Sequence, residues 1–238
     1  MAANLLLLVP FIMSNQTVEG DAFIQRIQHR IPLDDALQPS LEDEVALRRL
    51  FAMDPSNERL QNPYVGLVDV FNAPDPIFRT CARVVNGPDE LDANYVMPLS
   101  SDKRRDDGAL CMVPDLESFR KNWSIFSEGS LSQLSEWDNV VVAGGSVLAC
   151  LTPLPESATI SKRAVRKFYH TNAYPTSDVD VFLWGLTPEQ AEAKIVKIYE
   201  AVRDSVPWDV TCVRTKHTVS IHCQHKLPFH IVLVYKYP

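Results

Sequence analysis

Residues 139–148 read Asn-Val-Val-Val-Ala-Gly-Gly-Ser-Val-Leu, residues 177–183 read Ser-Asp-Val-Asp-Val-Phe-Leu, and these two stretches decide the predicted fold. In the first stretch, a short valine-rich run ends at Gly144, Gly145 and Ser146. A short apolar run that stops at glycines is typical of a buried strand followed by a tight turn. The turn is therefore the first candidate functional feature of the chain.

The second stretch presents two aspartates, Asp178 and Asp180, on a predicted strand. Side chains two residues apart on a strand face the same way, so the two carboxylates are expected side by side. Adjacent negative charges repel unless a cation neutralises them, and Mg²⁺ prefers carboxylate oxygens. A glycine turn and a pair of carboxylates are the least that a binding site for a metal-bound triphosphate requires.

The composition is that of a globular protein. The chain has 238 residues, of which 46% are hydrophobic and 22% are charged, and this argues against disordered and coiled-coil classes. The formal net charge of -7 argues against a general nucleic-acid coat protein, which normally has a basic surface. It leaves room for a local basic site.

The N-terminus and the cysteines bear on localisation. The apolar run Leu5–Met13 is too short to span a bilayer, lacks a preceding basic region and is interrupted by Pro10, so we expect a buried segment of a protein that is neither secreted nor membrane-bound. The five cysteines are odd in number and form no CxxC pair. We therefore expect the cysteines to be reduced and mostly buried, in a cytoplasmic or nuclear protein.

The first half of the chain is predicted to be a mainly helical accessory region, residues 1–125. Hydrophobic spacing and a Ser-x-x-Asp start at Ser40 predict a helix over Leu41–Met53. Further helices are predicted over Asp21–Ile31, Asp75–Val85, Asp115–Trp123 and Ser130–Trp137, with an exposed loop over Pro98–Asp107.

The second half, residues 126–238, is predicted to be an α/β (α+β) domain with a mixed sheet and flanking helices in the order β-α-β-α-β-β-β. Between the two opening stretches, Pro153–Pro175 is predicted to be a long loop with a basic centre. The predicted strands are Asn139–Ala143, Asp178–Trp184, Asp209–Arg214, Thr218–Cys223 and His230–Tyr235, and the predicted helices are Ser146–Leu151 and Thr187–Ser205.

The order of strand, Gly-Gly-Ser, helix and Asp-x-Asp strand resembles the nucleotidyltransferase superfamily of DNA polymerase β-like folds. The sequence is most similar to the uncharacterised nucleotidyltransferase-like domains of large fungal proteins, some of which carry ankyrin repeats. The resemblance extends over roughly residues 136–236, less than half of the chain. It implies that the glycine turn, Gly144 to Ser146, holds the phosphates of a nucleoside triphosphate. It also implies that Asp178 and Asp180 bind Mg²⁺ or Mn²⁺.

The chain departs from the family in its third carboxylate, which usually comes from a later strand and often acts on the attacking hydroxyl. No Asp or Glu follows Asp209. Asp209 takes that role only if its strand lies beside the Asp178 strand with its start near the metals. Otherwise two explanations stay open: the chain ends before the third ligand, or the domain is degenerate.

The basic segment inside Pro153–Pro175 is a second departure, since it resembles an insertion. Lys162 and Arg163, with Arg166 and Lys167, are candidates for binding nucleotide phosphate or RNA. The alternative is a solvated surface loop.

The leading hypothesis is an Mg-nucleoside triphosphate-binding protein that transfers a nucleotidyl group to a hydroxyl of RNA, protein or a small molecule. The candidate catalytic residues are Asp178, Asp180 and Asp209. The rival hypothesis is a catalytically degenerate module of the same fold that serves binding or scaffolding. A third is a helical interaction protein whose first half binds a partner.

Overall fold

The computed structural model describes residues 18–62, 64–72, 81–82, 84, 87, 105–134, 137–223 and 229–233. The chain combines helices with a β-sheet, so the predicted α+β class is confirmed. Within those ranges, no helix has both the length and the apolar character needed to cross a membrane. The apolar segment Leu5–Met13 and most of the segments Asp75–Val85 and Pro98–Asp107 lie outside the described residues.

Two helices, α1 (Val18–Gln28) and α2 (Leu33–Met53), begin the described chain. Helix α2 starts well before the predicted Leu41, because its acidic first turn follows Pro32 and the helix continues through Pro39. The Ser40 hydroxyl accepts a hydrogen bond from the Arg26 guanidinium of α1, at 3.1 Å, and so serves the packing of two helices rather than a cap.

Helix α3 (Leu116–Phe126) is capped by Asp115, whose carboxylate accepts a hydrogen bond of 2.7 Å from the Ser118 amide. That bond holds the pKa of Asp115 below its ordinary value. The buried face of α3 carries Phe119, Trp123 and Phe126, which join the hydrophobic core of the sheet. The predicted division after residue 125 therefore lies inside a helix that packs with the second half.

The helix predicted over Ser130–Trp137 is wrong for residues 130–134, which form turns. Glu128 and Gly129 adopt left-handed backbone conformations, with φ of 51° and 71°. Two successive left-handed residues stop a right-handed helix, so the chain turns here instead of entering another helix.

Five strands form one sheet of order β1-β2-β5-β4-β3. The pairs β1–β2, β4–β5 and β3–β4 are antiparallel, whereas β2 and β5 are parallel. The last strand thus inserts between β2 and β4. The bounds are β1 Val140–Ala143, β2 Val179–Leu183, β3 Val210–Arg214, β4 Thr218–Cys223 and β5 Phe229–Leu233.

One face of this sheet is buried, whereas the other, here called the open face, is partly exposed. Val140 and Val142 of β1 are buried, as are the alternate residues of β2 that begin with Val179. Helices α4 (Gly145–Leu151) and α7 (Pro188–Asp204) contribute side chains to the same core. The intervening residues of β2, including Asp180, are half-buried and lie on the opposite face.

Helix α7 matches its predicted range closely. The Thr187 hydroxyl accepts from the Gln190 amide, and the Gln190 side chain accepts from the Thr187 amide, which forms a capping box with Pro188 at the start of the helix. Its inner face includes Ile198, which is fully buried against the sheet.

The long loop predicted over Pro153–Pro175 is wrong, because most of it is helical. It forms α5 (Glu156–Thr159), α6 (Lys162–Lys167) and a π-helical turn, Phe168–Ala173. Val165 and Tyr169 are spaced four residues apart and both enter the core. Burial of these two side chains stabilises helical structure that the polar, proline-flanked sequence did not indicate.

The prediction of mostly buried cysteines is also wrong. All five thiols are free, but Cys150 alone is buried, while Cys81 and Cys212 are exposed.

Candidate functional site

The glycine turn lies directly against the second aspartate. Gly144 precedes α4 with φ of 79° and ψ of -153°, a conformation that is essentially restricted to glycine. A Cβ atom built on Gly144 would lie 2.7 Å from Asp180 Oδ2. Real Cβ atoms do not approach a carboxylate oxygen that closely, so only glycine fits without a shift of its surroundings.

The strand register explains this contact. Strands β1 and β2 are antiparallel, and Ala143, the last residue of β1, pairs with Asp180. The turn that follows β1 therefore reaches the start of β2. Gly145 lies near the same point, since a Cβ atom on it would lie 3.8 Å from Ser177 Oγ. The glycine turn that follows β1 and the Asp-x-Asp stretch at the start of β2 are therefore adjacent in space.

Asp178 and Asp180 lie at the beginning of β2, on the open face of the sheet. Asp178 immediately precedes the strand and Asp180 is its second residue, and both are half-buried. A half-buried carboxylate pair is accessible to a cation and its other ligands while being partly shielded from water, which strengthens its interaction with positive charge.

Helix α4, which follows the glycine turn, is fixed at its far end by α3. The Asn122 side chain donates a buried hydrogen bond of 3.1 Å to the Cys150 carbonyl, and the Val113 amide donates one of 2.8 Å to the Leu151 carbonyl. The Cys150 thiol is fully buried, and burial raises its pKa. Cys150 is therefore a packing residue and not a nucleophile.

Ser146 differs from its predicted role as a phosphate ligand. It is fully buried, and its hydroxyl donates to the Ala143 carbonyl at 3.4 Å. In this conformation the hydroxyl supports the turn from inside. The surface offered to a ligand consists of the backbone at Gly144 and Gly145.

Asp209 does not lie beside the aspartate pair. It is exposed and precedes β3, which is separated from β2 by β5 and β4. Three strand spacings amount to about 14 Å. The condition under which Asp209 would supply the third carboxylate is not met.

Strand β5 lies next to Asp180. In the backbone register, its residue His230 pairs with Asp180 of β2 on one side and with Ser220 of β4 on the other. Among the residues that the structure describes, no group of three or more Asp, Glu, His or Cys side chains is arranged to hold a metal ion.

Lys162 and Arg163 begin helix α6 and are exposed. The π-helical turn and residues 174–177 connect this helix to Asp178. The two cations therefore lie on a helical segment that leads into the aspartate strand, and they are not part of the glycine turn.

A polar contact between the turn that follows α3 and helix α6 was missed by sequence reasoning. The Glu128 carboxylate, only 9% exposed, forms an ion pair with Arg166 of α6, and its Oε1 atom lies 3.9 Å from His170 Nε2. The signal in the sequence was weak, because nothing marked Glu128 as the partner of a segment so far along the chain. The contact ties helix α6 to the turn that follows α3.

Together the glycine turn and the start of β2 offer a glycine backbone and two carboxylates. Backbone amides can bind a phosphate, and paired carboxylates can bind a divalent cation that the phosphate also touches. Comparisons with protein-family models, with curated proteins and with solved structures found no match.

Proposed function

We propose that this protein binds a nucleoside triphosphate together with Mg²⁺ or Mn²⁺ through a nucleotidyltransferase-like domain. The contact between Gly144 and Asp180 is the single observation that carries the proposal. This contact places a turn suited to phosphate beside a carboxylate suited to a cation, so that the two form one candidate site.

The glycine backbone is proposed to bind the triphosphate. Gly144 has the backbone conformation that is essentially restricted to glycine, and it is exposed beside the Asp180 carboxylate. Amide groups at such a turn present partial positive charge to an anion. Ser146 is proposed to hold the turn in shape from the inside, since its hydroxyl bonds to the Ala143 carbonyl.

The aspartate pair fits a cation that is bound jointly with phosphate. Mg²⁺ is usually held by one or two carboxylates, several waters and substrate phosphates rather than by a cage of protein ligands. Asp178 and Asp180 supply two carboxylates on one open face, which suits this mode. When bound, the cation would neutralise phosphate charge and favour in-line displacement at phosphorus.

In the catalytically active version of this proposal, the protein transfers a nucleotidyl group to a hydroxyl and releases pyrophosphate. The alternative is a catalytically degenerate module that binds nucleotide without transferring it. A specific observation favours the alternative: Asp209 lies three strands from the pair, and the described residues include no third metal-binding side chain beside it. The acceptor class stays open between RNA, protein and small molecules.

Isothermal titration calorimetry tests the proposal. Saturable binding of a nucleoside triphosphate is expected in Mg²⁺ or Mn²⁺, with loss of binding in EDTA and in Asp178→Ala and Asp180→Ala. Pyrophosphate release then separates the two forms, since the degenerate module binds nucleotide and releases none. Absence of nucleotide binding in the unmutated protein would contradict both.

A further inference from the structure

Four basic side chains lie together on helix α6: Lys162, Arg163, Arg166 and Lys167. All four residues are exposed. The pairs 162/166 and 163/167 are four residues apart, so each pair is aligned along the helix with Cβ atoms about 5–6 Å from each other. These four residues form a continuous basic stripe.

The stripe is held in a fixed orientation by the opposite side of the helix. Val165 and Tyr169 are buried in the core, and Arg166 is bound to the largely buried Glu128. The Ser161 hydroxyl caps the helix by accepting from the Ala164 amide at 3.1 Å. Because its apolar side is anchored, the helix presents its cations outwards without a large loss of conformational freedom on binding.

The local charge contrasts with that of the whole chain. The segment 151–177 contains four basic side chains and one acidic side chain, Glu156, whereas the chain as a whole has a net charge of -7. A cationic stripe on an acidic protein attracts polyanions locally, which favours an oriented encounter over general adhesion.

We propose that the basic stripe of α6 binds the phosphate backbone of a nucleic acid. Lysine and arginine at regular spacing match a repeating row of phosphates, and they release counterions on binding. An anionic membrane fits less well, because a membrane-surface helix inserts its apolar side, and here Val165 and Tyr169 are already buried in the protein core.

The number of phosphate contacts determines how steeply the binding constant depends on salt concentration. Arg166 is engaged by Glu128, so the main contacts come from Lys162, Arg163 and Lys167. Three phosphate contacts correspond to a slope of about -2 in a plot of log binding constant against log salt concentration for a single strand. Binding is therefore expected to be weak, reversible and strongly salt-dependent.

The experiment is fluorescence anisotropy with a short labelled RNA strand, with the matching DNA strand in parallel, in EDTA and without nucleotide. These conditions make the result independent of the proposed Mg-nucleotide site. The test variant combines Lys162→Glu, Arg163→Glu and Lys167→Glu. The control combines Arg49→Glu, Arg105→Glu and Lys216→Glu, which are exposed elsewhere and change the net charge equally.

We expect the unmutated protein to bind with a salt slope of about -2, and the test variant to lose at least about tenfold in affinity with a slope near zero. The control should keep most of the affinity and the slope. Circular dichroism verifies that both variants are folded. Equal loss in both variants, no binding of either strand by the unmutated protein, or stripe-dependent binding to anionic vesicles in place of nucleic acid would each overturn the proposal.

Discussion

The backbone of Gly144 passes so close to the side chain of Asp180 that a Cβ atom on the glycine would lie 2.7 Å from Asp180 Oδ2. The pairing of Ala143 with Asp180 across the antiparallel strands brings the two residues together. A turn that only glycine can form thus lies beside a half-buried carboxylate at the start of a strand.

Gly144→Ala should damage both the turn and the candidate site. The new methyl group would contact the Asp180 carboxylate, and alanine would be forced into a backbone conformation that disfavours it by about 1–3 kcal/mol. We expect a loss of that order in the free energy of unfolding, measured with urea. We also expect a loss of about tenfold or more in Mg-nucleotide affinity.

Gly145→Ala is the matched control. A Cβ atom at Gly145 would meet its nearest neighbour, Ser177 Oγ, at an ordinary 3.8 Å, and alanine favours the helix that begins there. This variant should be as stable as the unmutated protein or slightly more stable. Equal damage from both substitutions would contradict the importance of the contact with Asp180.

Tyr169→Phe should stabilise the protein. Tyr169 is fully buried, and its hydroxyl oxygen has no hydrogen-bond partner among the residues that the structure describes. Removing a buried polar group that lacks a partner recovers about 1–3 kcal/mol of desolvation free energy. Urea unfolding should show this increase, and Tyr174→Phe, at a half-buried position in the same aromatic cluster, should change stability less. A clear loss of stability in Tyr169→Phe would show that the hydroxyl is bonded.

The free energy of unfolding should fall at alkaline pH. Burial raises the pKa of Cys150 above its ordinary value of 9.0, and burial, with Cys150 and Tyr174 nearby, raises the pKa of Tyr169 above 10.0. Above those ordinary values the unfolded chain releases protons that the folded chain retains, so stability decreases as the pH rises. Below pH 9.0 this contribution is present in full.

Urea unfolding at a series of pH values measures this slope. Tyr169→Phe should have a shallower decline above pH 10.0, because one of the two titrating groups is gone. An identical slope in the variant would mean that Tyr169 ionises equally well in the folded and unfolded states.

Glu128→Gln should loosen the packing of helix α6. The Glu128 carboxylate is largely buried and binds Arg166, and hydrogen bonds to charged groups contribute about 1.5–3 kcal/mol. Because Arg166 is itself exposed, we expect a loss near the lower end of that range in urea unfolding. Asp204→Asn breaks the exposed Arg203–Asp204 pair and should cost much less stability than Glu128→Gln. Similar losses would contradict a special role for Glu128.

The elements predicted well from sequence are those whose signals are local. The valine run before Gly144 and the Thr187–Gln190 box each specify their own structure within a few residues, and both were found at the predicted places.

The remaining features depend on distant partners, which a single sequence does not identify. Strand β5 inserts between β2 and β4, and this pairing moves Asp209 away from the candidate site. Helix α6 is stabilised by burial of Val165 and by the ion pair to Glu128, neither of which is visible from the proline-flanked segment alone.

Calorimetric titration of the unmutated protein with nucleoside triphosphates, with and without Mg²⁺, tests the central claim most directly. The account predicts saturable binding that requires the cation. It also predicts that this binding is lost in the Asp178→Ala, Asp180→Ala double variant and is kept in Asp209→Asn, because Asp209 lies three strands away. Failure of every nucleoside triphosphate to bind, or binding that survives without the cation and without both aspartates, would contradict it.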